Sequence, residues 1–489
     1  MRSWQDRYAA SLSAAVAIAI VGQPLVSVLG ALARQADPGR ISSGLALVAV
    51  AYAGYLTLVR TAGPVVLGAA DASWRLLSPL PRRTVLGRTA LALLTVSVLG
   101  GLVLGVALVA VLGAPDQLSL RLAAALVLGL GAGLGGMAMG VLGQASPAWD
   151  GWLRALIAVI VVAAVVLAVL GAGPGRHLPA VVAGAPAGPV GVVAGCAAAV
   201  TALLVRRAWT ALGRVPARAI LAASVRAGRV AQAAVVLDPG MLTWVVEDNH
   251  WRGRTLRSRR WPVTGAWALA WQEARRLGRR PARLAVLAGA AALPALVVTA
   301  GLPQVAVALT PAGALAAAAS VTSGVRRDDD NPALLRVLAV EPRAALAVRA
   351  LPSALLGALW LDVAFAGLSA VGASPGGLWW LLGPACGPAL AVAALRMARR
   401  RPVDHSMPVI DTPGGAIPTG PLLWALTGVD LALLGCAPAL LALAVQPANP
   451  VPYLLAQALT GLGVLWGYIV LATRGGRRRT RTVKGVQLQ

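Results

Sequence analysis

A chain of 489 residues that is 58% hydrophobic and only 12% charged is too apolar for an ordinary soluble protein. Its apolar residues form runs of about twenty, the length that crosses a bilayer core as a helix. The formal net charge of +26 would suit nucleic acid only if the basic residues shared one folded face; they fall instead in the gaps between apolar runs, so no nucleic-acid partner is expected.

The chain opens with the phrase Trp4-Gln5-Asp6, a short amphipathic stretch suited to the membrane interface. The apolar run that starts near Ser11 is long enough to span, and is read as a retained helix rather than a cleaved leader. Twelve spans are predicted in all: 11–33, 41–60, 89–113, 122–143, 154–172, 187–205, 284–304, 305–325, 350–372, 377–397, 421–445 and 452–473. Pro311 predicts a kink in the eighth.

Between the second and third spans, residues 71–83 read as a short helix. Asp71 or Ser73 offers its N-cap, and Pro79 and Pro81 end it. It carries Trp74, Arg75, Leu77, Pro81, Arg82 and Arg83. An apolar patch rimmed by arginine marks a protein contact; the alternative is an anchor to anionic headgroups. In the fourth span, Gly129/Gly133 and Gly136/Gly140 form small-xxx-small pairs that allow close helix packing.

The segment from Arg206 to Arg283 is the longest polar stretch and divides the spans six and six, which predicts a cytoplasmic linker, 206–263, between a first unit, 1–205, and a second, 264–489, that ends in a basic tail. The second unit begins with Trp267–Leu287, read as an interfacial helix turning into a span. Trp271 suits the headgroup level, and Arg275 and Arg276 can reach phosphates.

Leu335–Arg349 aligns without gaps on Trp74–Arg88 and shares five of fifteen residues with it, among them Arg336, Leu338, Pro342 and Arg343. Each copy sits between the second and third spans of its half, and Trp271-Gln272-Glu273 repeats the opening Trp4-Gln5-Asp6. The fold expected is all-α: a polytopic membrane bundle of about twelve helices, in two parallel six-helix repeats related by a pseudo-two-fold axis along the membrane normal. With the N-terminus inside, 39 of the 43 Lys and Arg residues fall in inside segments, which predicts both termini in the cytoplasm.

Two carboxylates, Asp362 and Asp430, lie within predicted spans, where an ionisable group normally faces a cavity or a partner. They are candidate cargo-path residues. Asp328–Asp330 reads as a helix cap. The three cysteines show no CxxC spacing and the three histidines no H-E-x-x-H pattern, so no metal site is expected. No nucleophile, acid and base constellation is found. The single lysine, Lys484, is followed by Gly485 and lacks the upstream glycine loop of a P-loop.

An interfacial helix, two spans, a short basic "LLSPLPRR" turn and four more spans resemble the permease subunit of ABC-2-type transporters, here with the six-span unit doubled in one chain. The resemblance implies that the turn between second and third spans is a coupling helix docked on a separate ATPase. Residues 71–83 and 328–343 would then hold two copies of that ATPase, which would carry the ATP and magnesium. It implies a non-enzymatic exporter subunit in the bacterial plasma membrane. A proton-coupled secondary transporter using Asp362 and Asp430 is the alternative.

Overall fold

The computed structural model describes residues 37–68, 79, 82–114, 117–173, 181, 184–235, 263–331, 333–374, 376–401, 403–404, 406–412 and 415–486. The first predicted span, Trp4, Trp74, Arg75, Leu77 and Pro81 lie outside the described residues. Among those described, nine helices are long and apolar enough to cross a membrane, and one bent pair passes the same test jointly. The architecture is an all-α polytopic membrane bundle. The chain divides into two compact units, Met1–Ala227 with Thr299–Gly301 and Gly228–Val298 with Leu302–Gln489.

Unit 1 holds α1 (Pro38–Ala62), the short α2 (Arg82–Val85), α3 (Gly87–Leu112), α4 (Leu118–Ala145), α5 (Pro147–Ala172), α6 (Ala187–Ala211) and most of α7 (Ala217–Val235). Helix α4 is its centre, packed on α1, α3, α5 and α6. The glycines explain how. A Cβ on Gly129 would lie 2.3 Å from the Gly101 carbonyl oxygen of α3, and one on Gly133 2.4 Å from that of Ser97. Main chain therefore meets main chain, as small-residue stripes permit in a membrane, where packing rather than water expulsion drives helix association. Gly136 and Gly140 receive Leu56 and Val59 of α1 in the same way.

The outward faces are apolar too: Val103 of α3 is 70% exposed and Val162 of α5 61%. Such surfaces over whole helices are tolerated by lipid and not by water.

Residues 206–227, read from the sequence as the start of a linker, belong to unit 1. Ile220, Ala223 and Ser224 line one buried face of α7, three and four residues apart, and the Ser224 hydroxyl accepts a hydrogen bond from the Leu67 amide at 3.0 Å.

Unit 2 holds α8 (Trp267–Gly278), α9 (Pro281–Ala290), α10 (Leu293–Thr299), α11 (Pro303–Ala319), α12 (Ser323–Asp330), α13 (Ala333–Val337), α14 (Pro342–Ala370) and α15 (Leu382–Ala398). A hairpin, β1 (Val409–Thr412) and β2 (Gly415–Pro418), then leads to α16 (Thr419–Leu426), α17 (Val429–Gly435), α18 (Ala437–Val445) and α19 (Val451–Val486). Helix α15 is the centre here, buried from Ala389 to Leu395 and packed on α11, α14, α17 and α19.

Helix α11 runs through Pro311, and a 55° bend follows between α11 and α12. There Ser320 and Thr322 turn their hydroxyls onto the Ala317 and Ala319 carbonyls, at 2.6 and 2.8 Å. Side chains that satisfy the backbone locally offer it an alternative to the helical ladder.

The predicted span 421–445 is three short helices. Gly428, at φ +96°, interrupts the first break and Pro438 follows the second, each removing helical continuity. The folding also packs Cys436 into the core cluster that holds Cys386.

Candidate functional site

The amphipathic helix expected at Trp267 is α8. Its Trp267 and Trp271 are exposed, and the Arg275 guanidinium stands 5.5 Å over the Trp271 ring. Its opposite face buries Leu269 and, against expectation for a surface helix, Glu273. The reason is Arg349, two turns into α14, whose Nη1 donates to Glu273 Oε1 at 2.9 Å. Arg349 Nε also stands 2.6 Å from Asp328 Oδ2 of α12, an ion pair at contact distance rather than an aligned hydrogen bond. Arg276 Nη1 reaches the same Glu273 oxygen at 3.5 Å.

Two acids, Glu273 and Asp328, thus meet two guanidiniums, Arg349 and Arg276. The pairing matters because Arg349 and Glu273 are almost wholly buried, and an isolated buried charge is strongly disfavoured. Gly324, in the first turn of α12, makes the room: a Cβ there would lie 1.9 Å from Arg349 Nη1 and 2.0 Å from Glu273 Oε1. Asp329 of α12 adds a second tie, to Arg399 beyond α15, at 2.9 Å. One knot thus binds α8, α12 and the start of α14. Asp328 is a knot member and not the helix cap that its sequence position suggested.

Between two ends of this knot lies α13, the middle of the second predicted docking element, whose ends fall in α12 and α14. Val337 is 82% exposed and Leu338 56%, with Arg336 exposed beside them. The helix closes on Ala339 at φ +51°, a left-handed conformation that costs an alanine roughly 1–2 kcal/mol. Its amide bonds to the Arg336 carbonyl at 3.1 Å, and that of Val340 to Leu335 at 3.2 Å. Pro342 then sits in the first turn of α14, with Arg343 half-buried next to it. An apolar pair is held outward by a strained turn, on a chain tied at once into the knot.

In unit 1 two arginines of the corresponding element bond to backbone carbonyls of the same unit. Arg82 Nη1 donates to the Val215 carbonyl at 2.5 Å and Arg83 Nη2 to that of Thr210 at 3.2 Å. Thr210 lies in the last turn of α6, where carbonyls lack helical partners and a cation is favoured, and Val215 closes the 3-10 turn that follows it.

The two membrane carboxylates have different surroundings. Asp430 opens α17, accepts from the Gly428 and Leu431 amides at 2.8 Å each, and pairs with Arg396 at 3.0 Å. Asp362 of α14 has a buried Oδ1 with no hydrogen-bond partner among the described residues. It faces Gly383, where a Cβ would come within 1.9 Å of that oxygen.

Glu273, Gly324, Asp328 and Arg349 were not singled out as a site by the sequence. The signal was present in part: Glu273 ends the repeated Trp-Gln-acid phrase and Arg349 the repeated element, but nothing in one dimension pairs residues 76 apart.

A family model described as a family of unknown function (DUF6297) matches residues 37–408. No curated protein and no solved structure matches the chain.

Proposed function

The chain belongs to the DUF6297 family, and we propose that it is the membrane-embedded permease subunit of an ATP-driven ABC exporter of the ABC-2 type. In this reading it has twelve crossings in two parallel repeats, both termini cytoplasmic, in a bacterial plasma membrane. It is not itself an enzyme; ATP and magnesium bind a separate ATPase, a pair of which dock through residues 71–83 and 328–343.

The observation that carries the reading is α13: an exposed apolar pair beside an arginine, braced by a buried ion knot that reaches three helices. A push on α13 moves α14, and through Arg349 it moves α8 and α12. Support for the repeat comes from packing. The fourth span of each half, α4 or α15, packs on the third and the sixth, α3 and α6 or α14 and α19. The three short helices from Thr419 to Val445 then form one broken crossing.

The test is a photo-reactive residue placed at position 337 in native membranes. It is expected to label a P-loop ATPase, whereas the same group at Leu359, an exposed position within α14, is expected to label none. Equal labelling from both positions, or no ATPase from 337, contradicts the docking.

A second reading, proton-coupled transport, is favoured by Asp362 alone, since its buried oxygen has no hydrogen-bond partner among the described residues while Asp430 is already paired. Asp362→Asn is expected to leave ATP-driven flux within severalfold of wild type. Flux abolished by this change yet indifferent to ATP depletion would establish the second reading instead.

A further inference from the structure

Unit 1 carries an open apolar cleft of about 390 Å³ between α3, α4 and α6, within the size range of small-molecule sites. Its walls are Leu91 and Leu94 of α3, Met137 and Val141 of α4, and Val205 and Ala208 of α6. The one hydroxyl on its wall, Ser97, is already spent on the Leu93 carbonyl at 2.6 Å. Nothing inside asks for a polar ligand.

The rim at one end is different. Trp209 lines the cleft there and is exposed; an indole of that kind favours the headgroup level of a bilayer. Arg88 follows the lining residue Gly87 and stands one turn before Leu91 on the same side of α3. It is exposed and has no hydrogen bond or ion pair among the described residues. Arg83 bridges to the Thr210 carbonyl with one of its N–H groups, which sets its guanidinium against the end of α6 next to Trp209. Exposed Arg206 lies one turn from Trp209 on α6.

In unit 2 the junction of α14, α15 and α19 is closed. Leu465, Tyr468 and Ile469 pack on Leu346, Ala350, Ala391 and Leu395. Three crossing helices therefore do not by themselves leave such an opening.

We propose that the cleft between α3, α4 and α6 is a site for one anionic phospholipid, with an acyl chain against Leu91, Met137 and Ala208 and the phosphate on Arg83, Arg88 and Arg206. The apolar wall recognises the chain. The guanidiniums, which match phosphate oxygens in planar, charge-assisted pairs, recognise the headgroup. Trp209 fixes the boundary between them.

The test uses the purified full chain, exposed to an equal mixture of phosphatidylglycerol and phosphatidylcholine with identical acyl chains, and native mass spectrometry of the lipid retained. One phosphatidylglycerol per chain is expected, at several-fold preference. Arg88→Glu, at an exposed position that leaves folding intact, is expected to erase the preference. Ala208→Phe, which fills the cleft, is expected to cut retention of both lipids several-fold. Equal retention of the two lipids by wild type overturns the proposal, as does an unchanged preference in Arg88→Glu. Displacement of the lipid by millimolar inorganic phosphate also overturns it, because the cleft would then be an anion site with no role for the chain.

Discussion

Arg349→Ala is expected to destabilise the protein by roughly 3–5 kcal/mol, the typical cost of removing one partner from a buried ion pair. The substitution removes the guanidinium that meets both Glu273 Oε1 and Asp328 Oδ2; Arg276 reaches Glu273 at the longer distance of 3.5 Å. For a cooperative unit of about 250 residues this corresponds to a fall on the order of 10 °C in the unfolding midpoint, measured in detergent at one fixed scan rate because membrane bundles often unfold irreversibly.

Two companion changes separate the knot from simple loss of bulk. Gly324→Ala removes nothing, yet its Cβ would enter the space of Arg349 Nη1 and Glu273 Oε1, so it is expected to lower the midpoint as well. Arg349→Met with Glu273→Gln removes both charges and is expected to recover part of the loss, since an apolar replacement for a buried pair is often tolerated. If Arg349→Ala and the double variant unfolded at the same temperature as wild type, the knot would have no mechanical role.

Val337→Asp with Leu338→Asp is expected to do the reverse: leave stability within about 0.5 kcal/mol, as surface substitutions do, and abolish partner binding. Both side chains already face solvent, so the folded chain loses no packing. A docking contact built on them loses an apolar anchor at its centre, a truncation that costs 2 kcal/mol or more at typical interface hot spots, about thirtyfold in affinity. The measurement is the amount of ATPase recovered with the tagged chain at equal membrane insertion. Arg82→Glu is a poorer probe of docking, because Arg82 is bound to the Val215 carbonyl within unit 1 and its loss would disturb the turn that joins α6 to α7.

Much of the bundle was legible because the bilayer imposes a simple rule: an apolar run of sufficient length becomes a helix. The predicted spans at 89–113, 122–143 and 377–397 differ from α3, α4 and the stretch Gly377–Ala398 by a few residues at most. Hydropathy failed where continuity, rather than polarity, decides. Averaged over 421–445 it cannot register Gly428 in a left-handed conformation or the proline after Cys436. It also passed over α7, whose buried Ile220, Ala223 and Ser224 are flanked by Arg218 and Arg226, which lower the mean.

The candidate site was half legible. The repeated Leu335–Arg349 element pointed to α13 and to its exposed apolar pair. The knot behind it was hidden, because Glu273, Asp328 and Arg349 come together only when α8, α12 and α14 pack, and because Asp328 lies in a run of three aspartates that reads equally well as a cap. Asp362 and Asp430 looked equivalent in sequence. Their difference lies in neighbours, Gly383 for one and Arg396 for the other, that only the fold supplies.

The central claim is that this chain is the membrane half of a motor whose ATPase is a separate protein. The most direct measurement is affinity purification of the wild-type chain from its own membranes, with quantitative mass spectrometry of what accompanies it. A P-loop ATPase recovered as a pair per chain is the predicted result. A folded chain recovered with no P-loop ATPase at all would contradict it.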